Sequence, residues 1–108
     1  MASLLARDYI DLKIDTDRMT LGKEVAQRLR GTEKGGIPWM VILDGDGKAL
    51  IDADGPEGNV GCPVSPAERK HFMKMISSTR SKLSPQEVAT ISGALDRFGD
   101  KILEARKR

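Results

Sequence analysis

Gly35-Gly36-Ile37-Pro38-Trp39-Met40-Val41-Ile42-Leu43-Asp44-Gly45-Asp46-Gly47-Lys48 is the stretch whose reading decides the fold. Two glycines free the backbone, a proline fixes it, and an unbroken apolar run follows from Trp39 to Leu43. Such a run reads as a strand covered on both faces. Asp44-Gly45-Asp46-Gly47-Lys48 then reads as a hairpin turn, and Ala49-Leu50-Ile51-Asp52-Ala53 as the returning strand.

Outward from this hairpin, other elements declare themselves. Leu4 to Ala6 reads as the last turn of a helix. Tyr9-Ile10-Asp11-Leu12-Lys13-Ile14-Asp15 alternates, with Ile10, Leu12 and Ile14 on one side and Asp11, Lys13 and Asp15 on the other, which predicts a half-buried strand. Asp15-Thr16-Asp17 offers capping oxygens to a helix striped by Leu21, Val25 and Leu29 and stopped by Gly31.

On the other side, the stretch from Gly55 to Pro63 is too rich in glycine and proline for regular structure. Ser65-Pro66-Ala67-Glu68 and Ser84-Pro85-Gln86-Glu87 each combine a capping serine, a first-turn proline and a glutamate three residues on. They predict two helices. The first buries Phe72, Met73 and Ile76; the second carries Val88, Ile91, Leu95, Phe98 and Ile102 at spacings of three and four. That seam can pack on its own domain or zip to a second copy; its need for a cover inclines the reading toward self-association.

The glycine-hydrophobe-proline step, the apolar strand behind it and the aspartate-glycine hairpin resemble the thioredoxin family, and Leu12-Lys13-Ile14-Asp15-Thr16-Asp17 looks like that family's second core strand and its acidic exit. The match runs from Asp8 to about Arg80, about two-thirds of the chain. The resemblance implies an α/β, thioredoxin-like single domain over residues 1–108, truncated to a β-α-β-β-α order. Residues 8–83 form its family-like portion and 84–107 an added C-terminal helix. It also implies that Ile37–Pro38 is a cis peptide bond and that Gly36, Ile37 and Pro38 form a peptide-binding groove; the other reading is that Pro38 only shapes the turn into the strand.

The family's first core strand and the C-x-x-C helix start after it would lie before Met1, and no C-x-x-C occurs in this chain. By resemblance that strand sits in mid-sheet, between Tyr9–Asp15 and Trp39–Leu43. Its loss leaves backbone groups to be closed over, paired with another copy, or left less ordered. Two functions follow. One is the remainder of a thiol–disulfide oxidoreductase, with no dithiol activity of its own. The other is a non-catalytic interaction module using the proline-step groove or the sheet edge.

Composition narrows the field further. A chain of 108 residues, 39% hydrophobic and 31% charged, suits one soluble globular domain. Its aromatics are Tyr9, Trp39, Phe72 and Phe98, so the core must rest on Leu, Ile, Val and Met. A net charge of +2 and a short basic end after Glu104 describe a solvated helix terminus, not a nucleic-acid footprint. No apolar run spans a membrane and no signal peptide is evident, so the expected compartment is cytoplasmic by default.

Cys62, the single cysteine, excludes an intrachain disulfide. It is either a lone thiol able to form a mixed disulfide or a small inert hydrophobe. His71, the single histidine, reads as a solvated or partly packed side chain, and Trp39 as a packing residue. Asp44, Asp46, Asp52 and Asp54 read as turn formers, because Lys48 replaces a ligand in the EF-hand spacing. No metal and no cofactor is expected. The expected partners are a protein or peptide, with a homodimer as one form of this.

Overall fold

The computed structural model describes residues 2–15, 18–31, 38–56, 58–60 and 63–107. Helices α1 (Ala2–Leu5) and α2 (Gly22–Arg30) come first. Strands β1 (Val41–Leu43), β2 (Ala49–Asp52), β3 (Asp54–Gly55) and β4 (Gly58–Asn59) follow, and helices α3 (Pro66–Thr79) and α4 (Pro85–Arg106) close the order. The chain is thus a mixed α/β protein with two small antiparallel sheets, β1–β2 and β3–β4.

The hairpin forms where the sequence places it. Val41 pairs with Asp52, Ile42 with Ile51 and Leu43 with Ala49, with an irregularity between Ile42 and Leu43. Asp44 organises the turn: its Oδ1 accepts the N–H groups of Asp46 and Lys48, each at 2.9 Å. Gly47 closes it with φ of 85°, a conformation that costs a glycine nothing. The apolar run yields only three strand residues, half-buried at Val41 and Ile42 and exposed at Leu43. Leu43 and Leu50 stay exposed, less cover than a fully apolar strand implies.

The glycine-rich segment after β2, read as irregular, contains the β3–β4 ribbon. Ala53 joins it to the hairpin: its N–H donates to the Met40 carbonyl at 2.9 Å, and its carbonyl accepts from the Val60 N–H at 2.7 Å. Both backbone groups are therefore satisfied at a fully buried residue.

Helices α3 and α4 carry the core. Each begins with a reciprocal capping box. Ser65 Oγ accepts the Glu68 N–H at 3.3 Å and Glu68 Oε1 the Ser65 N–H at 2.9 Å; Ser84 and Glu87 make the same pair of bonds, both at 3.1 Å. The accepted Ser65 N–H holds the Glu68 carboxyl below its ordinary pKa, and the Ser84 N–H does the same for Glu87. Met75, Leu83 and Ile91 are fully buried, and Leu4, Leu5, Tyr9, Phe72, Met73 and Val88 pack around Ile76, Leu83 and Ile91. Of the two ways to cover the α4 seam, Ile91 and Leu95 take packing within the chain, while Phe98 stays half exposed.

Two expectations fail in the N-terminal third. Residues 9–15 form no strand: among the described residues no ladder forms beside them, so the alternating pattern has no sheet there to bury its apolar side. The leading β of the β-α-β-β-α order is therefore not formed. Helix α2 begins at Gly22 and not at the acidic Asp15 cluster. Its N-cap is Leu21, held at φ of 62° with no side-chain cap, while Asp15 Oδ1 accepts the Arg18 N–H at 3.0 Å. Thr16 and Asp17 lie outside the described residues. The helix ends as expected at Gly31, whose N–H donates to the Gln27 carbonyl.

Candidate functional site

Three surfaces contain the residues singled out in the sequence. The first surrounds the proline step. Gly36 and Ile37, and with them the expected cis bond, lie outside the described residues. Pro38 is exposed, and its carbonyl accepts the Asn59 side-chain N–H at 2.8 Å, tying the entry of β1 to β4. Trp39 is half-buried. Its Nε1 donates to Asp54 Oδ2 at 3.1 Å, and the Arg30 guanidinium lies 5.0 Å from its ring centroid while pairing with Asp54 at 2.9 Å. Trp39 therefore packs, as expected, and also joins α2 to β3 through Asp54.

The second surface is the α3 face. His71 is half-buried, with Nε2 at 2.8 Å from the Asp52 carbonyl, so it fastens α3 to the end of β2. Asp52 Oδ1 accepts the Asp54 N–H at 2.8 Å. Asp44, Asp52 and Asp54 thus hold turns and ion pairs, and among the described residues no group of three or more acidic, histidine or cysteine side chains is placed to hold a metal. Cys62 lies outside the described residues.

Sequence reasoning missed the buried cation of this half. Arg69 is 7% exposed; its Nε donates to the Val64 carbonyl at 2.6 Å, and its terminal nitrogens pair with Asp96 at 3.2 Å and Asp100 at 3.0 Å. Burial works against the charge, but the two carboxylates outweigh it and raise the guanidinium's pKa. A β-carbon at Gly99 would stand 2.5 Å from Arg69 Nε, so glycine there makes room for the guanidinium. Asp96 and Asp100, one helical turn apart on α4 beside Gly99, were the available signal.

The third surface is the segment 10–14. Its ends are fixed. The Asp8 carboxylate accepts the N–H groups of Ser81, Lys82 and Leu83 at 3.1, 2.7 and 2.8 Å, and the Ser81 hydroxyl at 2.7 Å. Burial alone would raise the Asp8 pKa. The bonds from Leu83, Lys82 and Ser81 overcome it and hold the carboxyl well below the usual carboxylate range. The Tyr9 hydroxyl lies 2.7 Å from Thr79 Oγ1, and Asp15 anchors the turn into α2 through Arg18 and Met19.

Between these anchors, residues 10–14 make no hydrogen bond within the described residues. Ile10 is 98% exposed and Leu12 78%. Nearby in sequence, Leu21 and Val25 on α2 are exposed as well. The edge of β1 away from β2 likewise has no strand partner among the described residues. Backbone donors and acceptors next to apolar side chains can add a strand.

No helix among the described residues is long and apolar enough to cross a membrane. Searches against protein-family models, curated proteins and solved structures find no match to this chain.

Proposed function

We propose that this chain is the later portion of a thioredoxin-like domain, and that it binds protein by strand addition instead of cycling a dithiol. The order of proline step, β1–β2 hairpin and following α3 supports the family reading. The single cysteine gives this chain no internal dithiol cycle, which needs two thiols in reach of each other. The carrying observation is the segment 10–14: alternating, apolar on one side, exposed at Ile10 and Leu12, and without a backbone partner among the described residues. The Pro38 carbonyl is engaged by Asn59, whereas residues 10–14 have no backbone partner among the described residues.

The test is titration of a synthetic peptide of alternating valine and threonine into dilute protein, followed by backbone amide shifts and hydrogen exchange. Amides 10–14 should shift and gain protection, and Leu12→Asp should abolish the effect. Shifts confined to α3 and α4, or none at all, would remove the proposal.

A further inference from the structure

We infer that the strand added to residues 10–14 is the same segment of a second copy, in an antiparallel pairing with its two-fold axis at Leu12. The inference rests on the strand-binding reading and names its partner. Its warrant is the order of side chains across such an axis. Ile10 faces the partner's Ile14, Leu12 faces the partner's Leu12, and Asp11 faces the partner's Lys13. The Ile10–Ile14 and Asp11–Lys13 pairings are each formed twice and Leu12–Leu12 once, on the axis, as an isologous interface requires. Apolar side chains meet on one face and opposite charges on the other, directly across the ladder where cross-strand pairs interact most strongly.

The neighbouring arrangements are penalised. Sliding the second copy by two residues in one direction sets Asp11 opposite Asp11, and in the other direction Lys13 opposite Lys13. A slip of one residue puts Ile10 opposite Lys13, mixing the apolar and charged faces. A parallel pairing sets every charge beside its own kind. Among these pairings, only the antiparallel one centred on Leu12 satisfies both faces at once. The fixed ends fit this length: Tyr9 is tied to α3 and Asp15 to its turn, leaving five residues with Leu12 at their middle. The backbone of those five has no competing partner among the described residues.

The test is sedimentation equilibrium across a wide range of concentrations, on wild type, D11K, K13D and an equimolar mixture of the two variants. Wild type should dimerise. Each variant places like charges opposite one another twice and should weaken the dimer on the order of tenfold or more. The mixture should restore association as a heterodimer, because lysines at 11 and 13 of one chain then face aspartates at 13 and 11 of the other. A variant that had merely lost its fold could not be rescued in this way. A monomeric wild type overturns the inference, as does a mixture no tighter than its components, or a dimer dissolved by Phe98→Asp and untouched by D11K. A monomeric wild type whose amides 10–14 still take up the valine–threonine peptide removes the self-pairing alone and leaves strand binding standing.

Discussion

Residues 63–107 and residues 10–31 make an instructive pair. Both carry apolar side chains at regular spacing, yet α3 and α4 bury most of theirs, Phe98 apart, and the N-terminal stretch leaves Ile10, Leu12, Leu21 and Val25 in solvent. Local signals do not explain the difference by themselves, for α2 ends on a well-formed glycine cap. What differs is the opposing surface. The α3 and α4 helices face each other, and the loop between them receives α1 and Tyr9. Among the described residues, segment 10–14 and α2 face no comparable layer. Periodicity sets which side of an element is apolar; only a second surface turns that side into core.

The contrast should be largest in stability. Leu83→Ala or Ile91→Ala removes a fully buried side chain and should cost about 2–5 kcal/mol. Leu12→Ala, measured in dilute protein, should stay within about 0.5 kcal/mol of wild type. Urea denaturation monitored by circular dichroism compares them. Equal losses at Leu12 and Leu83 would mean that residues 10–14 belong to the core after all.

Gly99→Ala probes the tightest spot in the well-packed half. Its added methyl meets Arg69 and the Val64 carbonyl, so a loss of about 1–3 kcal/mol is expected. An unchanged urea midpoint would show that the guanidinium moves aside freely.

Asp8 joins the two halves, and its contribution depends on pH. Its folded pKa is depressed, so the stability it gives is present above the unfolded carboxyl value of about 3.9 and is lost as pH falls toward the folded value. The gap in melting temperature between wild type and Asp8→Asn should therefore be constant near neutrality and shrink below about pH 4. A gap that holds its size through that range would contradict the hydrogen-bonded carboxylate.

The smallest effect is expected on the open side. Leu21 sits in the left-handed region, exposed, with no cap to justify its side chain. Glycine removes the clash but loses more conformational freedom, so Leu21→Gly should stabilise by about 0.5 kcal/mol. A clear loss in thermal denaturation would reveal a contact for the leucine that the fold does not show.

The features legible in the sequence are those decided within a few residues. Both capping boxes, the Asp44 turn and the Gly31 stop involve partners no more than four positions apart. The strand expected at Tyr9–Asp15 failed because a strand is made by its neighbour, and alternation cannot supply one. Arg69 escaped notice for a related reason: its carboxylates are 27 and 31 positions away, and nothing local marks it among 18 lysines and arginines. At the candidate site, the sequence marked Ile10, Leu12 and Ile14 as one face but could not show that Ile10 and Leu12 stay exposed.

The Asp8 clasp also has a timetable. Its donors lie 73 to 75 positions downstream. At roughly 5–20 residues per second, the ribosome needs about 4–15 s to make the residues between Asp8 and Leu83. Throughout that interval the N-terminal piece is a nascent chain with nothing to hold, and residues 10–14 travel beside it unpaired. Ribosomes following one another along a message would present those segments to each other at high local concentration before either domain has closed.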